Sequence, residues 1–308
     1  MQVLSIGDRI VEGRYRIHSR FARAVNFVDD GSVVSLVTPE TGAGPINIVV
    51  DELRTAGVRS LTVGTRLAPG GTGPRPVVWL DDHALDCSAA GVYESGLDFI
   101  EERRGLSTRL AVLRETLAHY APPRSLAFLL DESRRDEFRA GFEKAFAEHA
   151  ANCAYDILYG DLVRGVSRLR GAGFGLTPSG DDFIRGVLIG MALAEALYGL
   201  SLLTTRQYVC DCARTGGVLS DALLFLAEAG RVDEKTKALV VPLLGGRLRE
   251  VWEQAKAICA VGETSGADFA TGLLLTLEAG RALPVMDNAF DSLFDDAPCG
   301  DGDAVMIS

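Results

Sequence analysis

The chain has 308 residues, 47% of them hydrophobic, enough to bury one large core or two smaller ones without cross-links. Its 42 acidic residues against 31 lysines and arginines give a net charge of −11, which argues against a duplex nucleic-acid binder or an anionic membrane surface, since both demand clustered cations. A small anionic ligand stays open, because a few local arginines and helix N-termini outweigh a distant, salt-screened field.

The longest apolar run, residues 187–203, is interrupted by Gly190, Glu195 and Gly199 and reads as a buried helix of a soluble protein, with no membrane partner. Six scattered cysteines and a start that does not resemble a signal peptide predict reduced thiols and a cytoplasmic setting. Cys210 and Cys212 are the one close pair; on a helix their sulfurs diverge, and no second ligand pair accompanies them.

In chain order, short β-branched and aromatic runs fall at 14–18, 24–28, 32–37, 46–50, 60–67 and 77–81, each bounded by Gly, Pro or Asp. Asp29-Asp30-Gly31 between two of them predicts a hairpin turn, so residues 1–90 are expected to form a β-rich domain, an antiparallel sheet or small barrel. From Gly96 the period changes: Leu97, Ile100, Leu106, Leu110, Leu113 and Leu117 recur at helical spacing. Further helices are expected over 132–170 with a break near Tyr159-Gly160, then over 180–200, 204–215, 219–229, 234–244, 247–259 and 266–279. The fold class predicted is α+β, with a helical domain at 91–284 and an acidic tail at 285–308, where Asp287, Asp291, Asp295, Asp296, Asp301 and Asp303 have few cations beside them.

The most informative stretch, Gly171 to Gly186, is a glycine-rich loop running into an apolar helix. Ser179 sits where an N-cap belongs, with Asp182 as its N3 partner and Asp181 beside the positive end of the dipole. The pattern returns at Gly262 to Gly272: Ser265, Gly266, Asp268, Phe269 and Gly272 fall on Ser179, Gly180, Asp182, Phe183 and Gly186, five identities in eight positions. Two well-capped helices would explain this. So would an internal symmetry in which two helix N-termini face one crevice and offer N–H groups to an anion. In that arrangement Thr177, Ser179, Thr264 and Ser265 supply hydroxyls, while Asp181, Asp182 and Asp268 hold either a metal such as Mg2+ or substrate amide N–H groups, or orient the serines. Two carboxylates in one first turn would repel an anion unless a cation intervenes, and Arg164, Arg168, Arg170 and Arg185 are near in sequence.

The chain contains no phosphate-loop, nucleophile-elbow or zinc-protease signature. Two further segments carry polar candidates: His18 to Asn26, where Arg20 and Arg23 flank Phe21 on either an exposed strand edge or a site, and the turn-rich loop Thr38 to Asn47.

Gly-Leu-Thr-Pro-Ser-Gly-Asp-Asp-Phe at 175–183 and Thr-Ser-Gly-Ala-Asp-Phe at 264–269, together with Phe-Ala-Arg-Ala-Val-Asn at 21–26 and Gly-Pro-Ile-Asn-Ile-Val-Val at 44–50, resemble the H-subunit family of oxamate carbamoyltransferase over roughly residues 14–283. The resemblance implies transfer of a carbamoyl group between oxalurate and phosphate, partner subunits of F and G type, and phosphate attacking directly, without a protein nucleophile. The candidate catalytic residues are then Ser179, Asp181 and Asp182, and the candidate substrate-binding residues Thr177, Gly180, Thr264, Ser265, Gly266, Asp268, Arg23 and Asn47. No cofactor is called for beyond Mg2+ as a candidate ion, and a homo-oligomer is compatible. The second turn departs from the first in having Ala267 where the first has Asp181, which counts against a metal held there. The rival readings are a non-catalytic ligand-binding or scaffolding subunit and a stand-alone small-molecule enzyme.

Overall fold

A computed structural model of the chain describes residues 1–53, 58–67, 74–97, 104–174 and 177–280; the acidic tail and Gly175-Leu176 lie outside the described residues. The first part is a sheet of nine strands: β1 (Val3–Gly7), β2 (Gly13–Arg20), β3 (Ala24–Asp29), β4 (Ser32–Val37), β5 (Asn47–Val50), β6 (Ser60–Leu67), β7 (Pro74–Leu80), β8 (His83–Ala84) and β9 (Gly91–Tyr93). Their order is β8-β7-β6-β2-β3-β4-β5-β1-β9. Pairing is antiparallel except between β4 and β5 and between β1 and β9. The β3–β4 turn is the two-residue hairpin expected from its sequence, with Asp30 at φ 42° and Gly31 at φ 81°. Positive φ at both positions matches the twist of the strands they join.

Helices follow: α1 (Leu106–Tyr120), α2 (Gly141–Tyr159), α3 (Leu162–Leu169), α4 (Ser179–Tyr198), α5 (Leu203–Ala213), α6 (Val218–Glu228), α7 (Glu234–Gly245), α8 (Leu248–Cys259) and α9 (Ser265–Gly280). Short 3₁₀ turns at Leu126–Leu129 and Glu132–Glu137 link α1 to α2. This is the α+β class, sheet first and helices second. Among the described residues no helix is long and apolar enough to cross a membrane.

Three details differ from the sequence expectation. Strands β1, β8 and β9 were not anticipated: β1 and β9 are short and held by partners distant in sequence, and β8 is only two residues long, paired with the neighbouring β7. Among the described residues the first helix begins at Leu106, where Gly105 at φ 75° sets its start; Gly96 bridges to Arg231, and Ile100 lies outside the described residues. Strand β2 is not a sheet edge, since it lies between β6 and β3; Arg20 and Phe21 fall at the hairpin end that it shares with β3.

The helical core is organised around α4 and α9, both buried along nearly their whole length. Gly186 meets the Phe269 carbonyl and the Leu273 amide, and Gly190 meets Leu273 and Thr276, so successive turns of the two helices advance together and both N-termini lie at one end. Gly272 lies reciprocally against the Phe183 carbonyl. Small residues at such positions let two backbones approach more closely than ordinary side chains allow. A methyl group at Gly186 or Gly272 would overlap the facing backbone, which has no flexible side chain to move aside.

Gly272→Ala is therefore expected to cost about 1–3 kcal/mol or more, the range for overpacking a tight core, and to lower the thermal midpoint. Gly141→Ala at the start of α2, where an added Cβ meets nothing, serves as the control and should leave the midpoint within about 0.5 kcal/mol-equivalent of wild type in the same calorimetric scan.

Candidate active site at the paired helix N-termini

The two motif turns are brought together as a pseudo-symmetric pair. In the first, the Ala172 amide bonds the Leu169 carbonyl at the end of α3, Gly173 takes φ 116°, and the Gly180 amide bonds the Ala172 carbonyl at 2.8 Å. In the second, Val261 bonds Ile258 at the end of α8, Gly262 takes φ 65°, and the Gly266 amide bonds the Val261 carbonyl at 3.1 Å. Gly180 and Gly266 each lie on the carbonyl that ends the preceding helix. The repeat thus extends beyond the matching octapeptides to include the end of the preceding helix and its loop.

Ser179 is not the N-cap of α4. Pro178 occupies that place, because its carbonyl accepts the first helical bond, from Asp182 at 3.1 Å; Thr264 does the same for α9 by accepting from Asp268 at 2.9 Å. Each serine is displaced by one position into the helix and turns toward the other helix. The Ser265 hydroxyl approaches Asp182, while the Ser179 hydroxyl approaches Asp268 and lies 3.5 Å from the Thr264 hydroxyl. Thr177 donates to Asp182 at 3.0 Å, and Thr264 approaches Asp268. Each aspartate is therefore served by the threonine before its own helix and the serine of the opposite one.

The pair is not electrically symmetric. Asp182 Oδ1 accepts from Arg185 Nη1 at 2.7 Å, one turn along α4. The equivalent position on α9 is Thr271, whose hydroxyl is spent on the Ala267 carbonyl. Asp268 has instead the Leu126 amide on Oδ1 at 2.6 Å, and its Oδ2 has no hydrogen bond of good geometry. Both carboxyls are fully buried, and burial pushes both above the ordinary range. Arg185, Ser265 and Thr177 oppose this at Asp182. At Asp268 the pKa rises to about 7, from burial and the nearby Asp182 charge, against the bonds from Leu126, Thr264 and Ser179. Asp182 has the Arg185 countercharge against this rise, whereas Asp268, with its pKa near 7, is placed to exchange a proton near neutral pH. Two parallel helix dipoles with adjacent positive ends favour such acidic residues in their first turns.

Asp181 faces elsewhere: its carboxylate accepts from the Gly171 amide at 2.6 Å and from the Ser220 hydroxyl on α6, tying the loop to a neighbouring helix. Among the described residues no group of three or more His, Cys, Asp or Glu is placed to hold a metal ion. Of the four arginines near the first turn only Arg185 reaches a motif carboxylate. Arg170 bonds the Cys212 and Arg214 carbonyls, and Arg164 and Arg168 lie beside Asp156. Backbone donors are largely committed as well: the amides of Gly180, Asp181, Asp182, Gly266 and Asp268 all bond carbonyls. Any anion here would be held by hydroxyls and side-chain cations more than by free helix-terminal N–H groups.

A cleft of about 620 Å³ opens over the pair, lined by Thr177, Thr264, Ser265, Gly262, Glu263 and Arg124, with the half-exposed rings of Phe21 and Phe174 at its side. Arg124 bonds Glu143 at 2.9 Å and lies 3.6 Å from Glu263. It follows two prolines in a loop at φ 62°, and nothing in its local sequence marked it as a candidate. Of the remaining candidates, Asn47 donates to the Gly42 carbonyl and borders a second, smaller cavity behind Ser265. The Arg23 carbonyl accepts from the Thr38 amide and the Thr41 hydroxyl, and Arg23 lines neither cavity.

Residues 169–277, from the end of α3 into α9, match the model of the family described as oxamate carbamoyltransferase subunit AllH. The matched span contains both turns, all of α4, and α9 as far as Leu277. No curated protein and no solved structure matches the chain.

The raised Asp268 carboxyl has a signed consequence for stability. A carboxyl whose folded pKa lies above its unfolded one favours the folded state fully below the unfolded pKa, near 4, and loses that contribution as pH climbs to about 7. Wild type should therefore lose thermal stability relative to Asp268→Asn as pH is raised from 4 to about 7, and the difference should level off above it. Parallel pH-dependent melting curves for the two proteins would count against a raised Asp268.

Proposed function

We propose that the chain is a subunit of an oxamate carbamoyltransferase-like complex and that a phosphate or carbamoyl-phosphate group binds in the cleft above the paired N-termini. The observation that carries this reading is the convergence of Thr177, Thr264 and Ser265, all within the span that matches the family model, with Arg124 from outside it, on one cleft backed by a proton-exchanging carboxyl. In the reaction, a phosphate oxygen attacks the carbamoyl carbon of oxalurate. The C–N bond to the oxamate moiety breaks, and a proton must reach the departing nitrogen to give oxamate and carbamoyl phosphate. Asp268, with a pKa matched to neutral pH, is suited to supply that proton through the Thr264 or Ser179 hydroxyl. Arg124 and the hydroxyls would offset charge developing on the carbamoyl oxygen. Partner subunits of F and G type would complete the site.

A second reading, a ligand-binding or scaffolding subunit without chemistry of its own, is favoured by one observation: Asp181 and most of the backbone donors at the two turns are already committed to holding the fold together.

Calorimetric titration of the purified chain with inorganic phosphate and carbamoyl phosphate tests the proposal. Binding should weaken about tenfold or more in Arg124→Gln, the loss expected for a charge-assisted contact, and to a lesser degree in Thr264→Val. In the assembled complex Asp268→Asn should lower turnover by about 10²–10⁴ while assembly survives. Full turnover by that variant would leave the scaffolding reading standing.

A further inference from the structure

We infer that Arg134 and Glu137 are a positioning pair for the cleft: they lock the loop from Pro122 to Leu126 so that Arg124 stands at the cleft and the Leu126 amide stands on Asp268. In its effect on binding, this deepens and rests on the reading of the cleft as an anion site.

The loop joins the C-terminus of α1 to the first 3₁₀ turn and carries two groups on which the site depends. Arg124 lines the cleft, and the Leu126 amide donates to Asp268 Oδ1 at 2.6 Å. Arg124 has φ 62°, in the left-handed region that disfavours any residue with a Cβ. Such a conformation persists only where the surroundings over-determine it.

Arg134 and Glu137 supply that constraint. The Arg134 side chain is buried; its Nη1 donates to the Ala118 carbonyl at 2.7 Å, and its Nη2 to the carbonyls of Ala121 at 2.6 Å and Pro122 at 3.0 Å. A guanidinium over the open carbonyls of a helix C-terminus is favoured by the dipole as well as by the bonds, and its rigid fork fixes the direction in which the chain leaves α1. Glu137, three residues on and 3.3 Å from Arg134, accepts from the Arg124 amide at 3.0 Å. The pair thus grips the loop at Pro122, where it starts, and at Arg124, where the backbone is strained. Glu143, fixed by the amides of Arg139 and Ala140 at the start of α2, holds the other end of Arg124 through its guanidinium at 2.9 Å. The base of the pair is firm, because Phe138, next in the chain to Glu137, is buried edge-on against Phe128 with ring centroids 5.2 Å apart. Neither Arg134 nor Glu137 lines the cleft, so their influence on an anion there must pass through the loop.

A double-mutant cycle on the full chain is the test. Arg134→Lys keeps the charge and loses the fork; Glu137→Ala removes the acceptor of the Arg124 amide and leaves the bonds from Arg134 to the carbonyls in place. In calorimetric titration with inorganic phosphate each should weaken binding about five- to tenfold, approaching Arg124→Gln, and neither should weaken it further in the Arg124→Gln background, because residues that act through one group are not additive. A general loss of structure would instead lower affinity in both backgrounds alike. Amide exchange followed by NMR should show the Leu126 amide exchanging about tenfold or more faster in both variants. Because Glu137 is partly exposed, Glu137→Ala keeps the test open should Arg134→Lys not fold. Arg135→Gln removes a like charge one residue on, from a group paired with Glu132 at 2.9 Å, and should leave both readouts within about twofold of wild type. Unweakened phosphate binding in both folded variants, a second full loss in the Arg124→Gln background, or an equally protected Leu126 amide in both would each overturn the inference. If wild type binds no phosphate, the anion reading of the cleft fails, and the Leu126 amide alone decides: faster exchange in the variants upholds the positioning pair, and unchanged exchange overturns it.

Discussion

The backbone-to-backbone approach of α4 and α9 is the constraint on which the rest of the helical region depends. Gly186 and Gly272 bring the helices close enough for their first turns to share side chains, and only at that separation do Ser179 and Ser265 reach the aspartate of the opposite helix. A wider crossing would leave two buried carboxyls without their hydroxyl partners, a costly arrangement in a low-dielectric interior. Close packing thus sets which hydroxyls can approach the buried carboxyls.

Symmetry of backbone does not carry over to symmetry of charge. Arg185 on α4 and Thr271 on α9 occupy equivalent places, so that Asp182 has a countercharge where Asp268 has the Leu126 amide; burial raises both carboxyls, Asp268 to about 7. The same arginine also borders the cavity beside the β4–β5 loop.

Much of the fold was legible locally. The Asp30-Gly31 hairpin, the switch from period two to helical spacing, and the limits of α4 through α9 within a few residues follow from backbone preference and from the hydrophobic face each segment presents. Strands β1 and β9 were not, because their hydrogen bonds come from partners tens of residues away, and β8 was not, because two residues carry no alternation to read. The N-cap position was misread by one residue, since Ser before an acidic turn is the usual capping signal and nothing local shows that Ser179 is claimed across the helix interface.

The site shows the same division. By itself the sequence determined that two turns share Ser, Gly, Asp, Phe and Gly at matching positions, that each begins an apolar helix, and that the chain has the makings of an α+β fold. Those are properties of short segments, fixed by side-chain chemistry and periodicity. Tertiary structure alone decided that the turns lie side by side, that Asp181 points to Gly171 and Ser220 while Asp182 and Asp268 pair, and that Arg124 joins the cleft. It also decided that both carboxyls hold raised pKa values and that only Asp182 has Arg185 against the rise, because burial depends on what other segments place around a residue.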